Sequence, residues 1–147
     1  MNYFFETVML IDDDETDQMI NELLITASCF AERRIIKFSA PSAISFLIHD
    51  AIPKNQIPDI IFLDIRMPLD DGFEFLKEYK LLSEKITGKT KIVMLTSSID
   101  EGDLMKANEN KFVNCLIPKP LTLEKLYDLR ASLQTVSLVS QNKPGFV

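Results

Sequence analysis

Five short apolar runs occur along the chain, and each is followed by a segment whose apolar residues recur at helical spacing. Such continuous runs favour parallel strands buried on both faces, because a sheet with one wet face would alternate apolar and polar residues. Strands and helices that alternate in this way are joined by right-handed crossovers. The pattern therefore predicts an α/β fold, a doubly wound five-stranded parallel sheet flanked by five helices. The predicted strands are residues 7–11, 34–38, 59–63, 91–95 and 112–117, and the helices begin near Glu15, Pro41, Gly72, Asp100 and Thr122.

Length and charge limit what the chain can do. Its 147 residues suit one domain, and a hydrophobic content of 46% suffices for one continuous core. The net charge of −6 argues against direct nucleic-acid binding, which depends on clustered Lys and Arg. The N-terminal segment lacks a basic start and reaches an acidic run at Asp12, and no apolar run approaches the ~20 residues of a membrane helix. We therefore expect a cytoplasmic protein without membrane insertion.

Polar side chains follow four of the predicted strands, at the point where each strand ends. Asp12 and Asp13 follow the first strand, Asp64 the third, Thr96 the fourth, and Lys119 comes shortly after the fifth. Ligands of open α/β sheets collect at the carboxyl ends of the strands, near the point where the strand order reverses. We therefore expect these five residues to converge on one edge of the sheet.

Three carboxylates at one edge predict a cation. Within a few ångström they repel by ~4 kcal/mol per pair at an effective dielectric of about 20, so the site requires a metal ion or bound protons. Mg²⁺ favours oxygen ligands and commonly shares carboxylates with a phosphoryl oxygen. A carboxylate can also attack phosphorus and form an acyl phosphate. Thr96 and Lys119 would then supply a hydroxyl and a cation to the phosphoryl oxygens.

Four segments in this order and spacing resemble the receiver domains of bacterial two-component response regulators. The segments are VMLIDDDE (8–15), PDIIFLDIRMPLDDGFEFL (58–76), KIVMLTSS (91–98) and LIPKPL (116–121), and the resemblance covers roughly residues 6–136. It implies the flavodoxin-like strand order 2-1-3-4-5.

The resemblance also implies a role for each acidic residue. Asp64 would accept a phosphoryl group from the phosphohistidine of a histidine kinase or a phosphotransfer protein. Asp64 and Asp13 would ligate Mg²⁺ directly, Asp12 would act largely through water, and Arg66 would contribute its backbone carbonyl. Asp14 and Glu15 are assigned instead to the start of the first helix.

By the same resemblance, Thr96 and Lys119 would bind the phosphoryl group, and Lys119-Pro120 would be a cis peptide. Arg66 and Ser98 occupy positions that influence phosphoryl lifetime in the family, and Leu116 stands where the family commonly has an aromatic residue that moves with the Thr. We therefore assign Arg66, Ser98 and Leu116 a modulating role.

The predicted function is a phosphorylation-dependent switch of a phosphorelay, rather than an enzyme acting on a diffusible substrate. Residues 6–136 would form the receiver domain, leaving 137–147 as a short C-terminal tail that is too small for an output domain. We therefore expect a separate downstream effector, bound at a surface of the fourth predicted helix, the fifth strand and the fifth predicted helix. The same surface would suit a phosphorylation-dependent homodimer.

Three alternatives to this function have to be weighed, and two of them lack a feature that they require. The chain is also compatible with a receiver-like interaction module that works without phosphorylation. An aspartate-nucleophile phosphatase would need a second Asp two positions after the nucleophile, where this sequence has Arg66. A nucleotide- or flavin-binding domain would need a Gly-rich loop after the first strand, where this sequence has DDDETDQ.

Overall fold

A computed structural model describes residues 2–68, 71–97 and 100–141, with side chains as far as residue 134. The strands are β1 (Phe5–Ile11), β2 (Ala31–Lys37), β3 (Ile60–Asp64), β4 (Lys91–Thr96) and β5 (Val113–Pro118). The helices of the described residues are α1 (Glu15–Ala27), α2 (Ala40–His49), α3 (Gly72–Tyr79), α4 (Glu84–Thr87), α5 (Glu101–Glu109) and α6 (Leu123–Gln141).

The strands form one parallel sheet in the order β2-β1-β3-β4-β5, which confirms the predicted doubly wound fold. Asp64 pairs with Leu95, and Thr96 pairs with Pro118. The carboxyl ends of β3, β4 and β5 therefore lie level at one edge. From β1 the chain adds β2 on one side, and it then adds β3, β4 and β5 on the other side. The order of strands therefore reverses between β1 and β3, where such folds place their ligands.

The sheet has an apolar core on each face, because successive side chains of a strand point to opposite sides. One core joins Met9, Ile61 and Met94 to residues of α2, α3, α4 and α5. The other joins Phe62 and Leu95, among others, to residues of α1 and α6. Burial on both faces explains why the strands read as continuous apolar runs.

Aspartates fix the starts of three helices by accepting hydrogen bonds from backbone N–H groups of the first turn. Asp14 accepts from Asp17 N at 2.9 Å, which confirms its predicted place at the start of α1. Asp71 caps α3 and Asp100 caps α5 in the same way.

Gly72 allows α3 to begin against the end of β3. A Cβ at this position would lie 2.8 Å from the backbone oxygen of Asp64 and 2.8 Å from Met94 Cε, closer than real Cβ contacts. The backbone N of Gly72 donates to the Ile65 oxygen at 2.8 Å. A side chain here would push the helix away from the residue that ends β3.

The structure has six helices among its described residues rather than the five predicted. The additional helix, α4, is a single turn capped by Ser83, with Ile86 as its buried residue. One turn with one buried side chain has no apolar period, so the sequence pattern could not reveal it. The predicted fourth and fifth helices are therefore α5 and α6.

Most boundaries differ by one or two residues from the sequence prediction, and two differ by more. β2 begins at Ala31 rather than residue 34, because this strand lies at the sheet edge and tolerates the charged residues Glu32 and Arg33. α6 continues to Gln141, so residues 137–141 of the predicted tail are helical. The domain boundary at 136 stays a prediction.

None of the helices within the described ranges has the length and apolarity needed to cross a membrane.

Candidate functional site

The sheet brings the predicted site residues together at its carboxyl edge. Asp12 and Asp13 directly follow β1, Asp64 and Thr96 are the last residues of β3 and β4, and Lys119 directly follows β5. Parallel strands in register make this convergence unavoidable, because each strand ends at the same side of the sheet. The position of each residue relative to its strand differs by at most one residue from the sequence prediction.

Three of these residues form an acidic cluster. Asp12, Asp13 and Asp64 each offer a carboxylate oxygen, and these oxygens lie within 4.8 Å of one another. Asp12 and Asp64 are buried, whereas Asp13 is exposed to solvent. Asp12 is held in place because its Oδ1 accepts a hydrogen bond from Asp14 N at 2.9 Å. The cluster therefore has a buried inner side and an open outer side.

Lys119 neutralises part of this charge. Its Nζ lies 3.0 Å from Asp12 Oδ2 and 3.2 Å from Asp64 Oδ2, so one ammonium bridges two buried carboxylates. The same Nζ donates to Asp17 Oδ2 at 3.2 Å. Three carboxylates therefore share one cation.

Asp17 is the residue of this network that sequence reasoning missed. It lies in the first turn of α1 and is separated from Lys119 by 102 residues, so the pattern suggested only an acidic helix start. The available signal was its spacing from the strand end, since the first turn of the helix after β1 lies at the same sheet edge. That signal predicts proximity, but the choice of Lys119 as partner depends on packing.

The electrostatics of the site shift the pKa values of two groups. The pKa of Asp64 is raised from 3.8 to about 6, chiefly because burial penalises the carboxylate; Lys119 opposes this shift and the charge of Asp12 adds to it. Burial acts to lower the pKa of Lys119, but its hydrogen bond to Asp12 and the charges of Asp64 and Asp12 raise it above the ordinary value. Lys119 is therefore charged at any physiological pH, and Asp64 is mostly ionised at pH 7.

Thr96 lies beside this network, buried at the end of β4. The backbone N of Lys119 donates to the Thr96 oxygen at 2.8 Å, which ties the segment after β5 to the end of β4. The Lys119-Pro120 peptide is cis, as predicted.

Two of the predicted modulating residues are described, and they contact different parts of the fold. Leu116 is half-buried in β5 and packs against the core on the side of α5. The guanidinium of Arg66 pairs with the carboxylate of Asp103 in α5, while the backbone N of Arg66 donates to Asp64 Oδ1 at 3.2 Å. The metal-binding role of the Arg66 carbonyl stays a prediction. Ser98 lies outside the described residues.

The acidic cluster fits a small divalent cation. Its donors are all carboxylate oxygens, the ligand type that Mg²⁺ prefers. Ligand atoms of octahedral Mg²⁺ lie ~3 to ~4 Å apart, so small turns of the three side chains would close the set from its 4.8 Å spread. The bridging ammonium of Lys119 already provides cationic charge at this place. These residues are therefore suited to the predicted Mg²⁺.

Comparison with known proteins points in the same direction. The family described as the response regulator receiver domain matches residues 8–130. The response regulator Rcp1 of Synechocystis is 26% identical over 141 residues, which cover 95% of this chain and 94% of Rcp1.

Solved structures share the fold. A two component response regulator from Cytophaga hutchinsonii matches with a TM-score of 0.77 at 28% identity, covering 89% of this chain and 99% of that one. The Mn(2+)-bound form of response regulator Rcp1 matches with a TM-score of 0.66 at 26% identity, covering 88% of this chain and 92% of that one.

Proposed function

The chain belongs to the response regulator receiver domain family of two-component signalling, and on that premise we propose that it is a phosphorylation-dependent switch with Asp64 as its phosphoacceptor. The observation that carries this proposal is the buried carboxylate of Asp64 at the end of β3, held beside Asp12, Asp13 and Lys119. An interaction module without phosphoryl chemistry would have no need for this costly grouping of charges.

The phosphotransfer step uses the Asp64 carboxylate as a nucleophile. One of its oxygens attacks the phosphorus of a phosphohistidine on the donor protein, and a P–O bond forms as the P–N bond breaks. The imidazole leaves with the electron pair of the broken bond, and Asp64 becomes an acyl phosphate. A pKa of about 6 keeps enough carboxylate ionised at pH 7 for attack.

Mg²⁺ is the proposed cofactor. Asp12, Asp13, Asp64 and the Arg66 carbonyl would hold it, and it would supply positive charge that offsets the carboxylates and the incoming phosphoryl oxygens. Support comes from the all-carboxylate donor set and from the Mn(2+)-bound form of the relative Rcp1.

The switch follows from the charge of the product. Phosphorylation leaves roughly two negative charges at Asp64, and the nearest cation, Lys119, shares its hydrogen bonds with Asp12 and Asp17. Lys119 would turn toward the phosphoryl oxygens, and the Thr96 hydroxyl would donate to them. Because Lys119 directly follows β5, its movement would displace that strand.

The proposed output surface consists of α5, β5 and α6, the helices and strand next to Lys119. Leu116 lies in this strand and packs against the core on the side of α5. A separate effector protein, or a second phosphorylated copy of the chain, would bind there, while a histidine kinase or phosphotransfer protein would approach the open side of the acidic cluster. The protein would work in the cytoplasm and turn over no diffusible substrate.

Intact mass spectrometry tests the proposal. The protein is incubated with Mg²⁺ and a small acyl-phosphate donor, as wild type and as Asp64→Asn. The control is Asp14→Asn, because Asn also caps a helix and Asp14 is exposed beside the site. Wild type and the control should gain one acid-stable, base-labile phosphoryl group, and Asp64→Asn should gain none. Absence of this gain in the wild type, or its persistence in Asp64→Asn, would overturn the assignment.

A further inference from the structure

Arg66 connects the phosphoacceptor loop to the start of α5. Its backbone N lies 3.2 Å from Asp64 Oδ1, so its side chain originates beside the acceptor carboxylate. Its guanidinium pairs with the carboxylate of Asp103, which is 37 residues away in the first turn of α5. One side chain therefore spans the site and the helix.

The two ends of this ion pair differ in exposure. The Arg66 side chain is 56% exposed, whereas that of Asp103 is 9% exposed. Exposed ion pairs contribute little, but a buried carboxylate that loses its cation is strongly penalised. Loss of the ion pair therefore costs Arg66 little free energy, because water can hydrate its guanidinium. The same loss costs the buried carboxylate of Asp103 much more.

Asp103 is one of the few buried residues of α5. The buried residues of this helix are Asp103 and Ala107, whereas α3 buries four residues in a helix of similar length. A helix attached through so few buried side chains has little apolar packing to hold it if the Asp103 contact is lost. Its anchoring thus relies in part on an ion pair with the phosphoacceptor loop.

We infer that Asp103 is a positioning residue: it holds the Arg66 guanidinium in the unphosphorylated protein, and a phosphoryl group on Asp64 competes with it for that guanidinium. This inference rests on the proposed function, since it requires phosphorylation of Asp64. When Arg66 turns to the phosphoryl oxygens, Asp103 is left without that partner and the first turn of α5 loosens. The competition links the phosphoacceptor to the proposed output surface by a route separate from Lys119.

The pair also sets the lifetime of the acyl phosphate. Hydrolysis requires a water molecule to approach the phosphorus in line with the leaving carboxylate. A guanidinium bound over the phosphoryl oxygens obstructs that approach. Weakening the hold of Asp103 should therefore make Arg66 more available and slow dephosphorylation.

A double-mutant cycle on dephosphorylation tests the competition. Each protein is phosphorylated with the small acyl-phosphate donor, the donor is removed, and loss of phosphoryl mass is followed with time. Asp103→Asn should slow the loss about fivefold in the wild-type background and leave it unchanged in the Arg66→Ala background, because the two residues act through one contact. An equal effect of Asp103→Asn in both backgrounds would overturn the inference.

Hydrogen exchange of the α5 amides tests the connection to the helix. In the unphosphorylated protein, Arg66→Ala should raise exchange over Glu101–Glu109 about tenfold, and phosphorylation should raise it similarly in the wild type but add little in Arg66→Ala. Arg66→Lys, which keeps a cation, should restore part of the protection. Unchanged α5 exchange in Arg66→Ala would overturn the inference.

The matched control is Glu101→Gln, which removes an exposed acidic charge from the same turn of α5. It should behave as wild type in both experiments. Mass is measured before exchange, so a wild type that takes up no phosphoryl group counts against the proposed function. A fully phosphorylated wild type whose α5 exchange does not change counts against the role of Asp103 alone.

Discussion

The strands that precede Asp64 and Lys119 are held very differently. All five residues of β3 are buried, and the strand lies between β1 and β4. β5 is an edge strand of the sheet, opposite β2, and Ile117 is its buried residue. Its pairing with β4 also shifts in register between Ile92 and Val93. Asp64, the proposed phosphoacceptor, therefore ends a strand that is fully buried, whereas its counter-ion Lys119 follows a partly exposed edge strand.

This difference suits a switch. A nucleophile has to be presented in one geometry, and burial on both faces supplies that constraint. A group that responds to new charge must shift without disturbing the core, and an edge strand with half-exposed side chains allows such a shift. The predictions below test whether the two strands differ in this way.

The largest expected effect is a loss of stability when a leucine of β3 is truncated. The matching truncation in β5 is the last prediction below. Leu63→Ala in β3 removes a side chain with 0% exposure and should lower the free energy of unfolding by ~3 kcal/mol or more. Urea unfolding at pH 7 gives the value, and Leu81→Ala, which truncates a side chain with 79% exposure, is the control. A loss below about 1.5 kcal/mol would mean that β3 is less constrained than its burial indicates.

The next effect concerns pH, in protein freed of divalent ions by a chelator. The folded-state pKa of Asp64 is about 6, above the 3.8 of the unfolded chain, so the folded protein binds a proton more readily and its stability rises as pH falls through 6. Asp64→Asn should therefore be more stable than wild type by up to ~3 kcal/mol at pH 7, and most of this advantage should be lost by pH 4.

Urea unfolding of both proteins between pH 4 and pH 8 measures this difference. Asp14→Asn serves as the control, because it changes an exposed carboxylate at a helix start. An advantage for Asp64→Asn that is the same at every pH would contradict a raised pKa at Asp64.

A smaller effect is expected from the charge on the edge side of the site. Lys119→Met removes the ammonium that bridges Asp12 and Asp64 and should slow phosphoryl incorporation about 100-fold, a loss of ~2.7 kcal/mol. The rate is followed by intact mass with the small acyl-phosphate donor. Lys111→Met, an exposed lysine before the opposite end of β5, should react at the wild-type rate. A wild-type rate of phosphoryl incorporation in Lys119→Met would show that Lys119 does not assist phosphoryl transfer.

The smallest effect completes the comparison. Leu116→Ala in β5 truncates a half-buried side chain and should cost ~1 kcal/mol, well under the loss for Leu63→Ala. Urea unfolding under the same conditions measures it. Equal losses for the two substitutions would show that the edge strand is held as firmly as the central one, and the proposed division between fixed acceptor and movable counter-ion would fail.

Local patterns accounted for most of the fold. Continuous apolar runs identify the strands because both faces of the sheet are covered, and Asp14 and Asp100 mark helix starts because their side chains cap the turns that follow them. The one-turn helix α4 was not predicted, since a single turn around Ile86 leaves no apolar period to detect. The start of β2 was also missed, because an edge strand carries charged residues that resemble a loop in sequence.

In the candidate site, the positions of the residues could be predicted from the sequence, but their contacts could not. Asp12, Asp13, Asp64, Thr96 and Lys119 could be placed at one edge because each comes at or shortly after the end of a predicted strand. Their contacts could not be placed, since the distance between two strand ends does not specify which oxygen a long Lys side chain will reach. The metal and phosphoryl roles of these residues stay predictions for the experiments above.

The sequence alone determined which residues would stand at the carboxyl edge of the sheet, because the ends of strands are local features of the chain. The tertiary structure decided which charges would meet there. Lys119 binds Asp17 across 102 residues, and Arg66 binds Asp103 across 37. Ion pairs of this kind depend on how helices pack against the sheet, and the sum of many buried contacts that sets this packing has no short-range signature in the sequence.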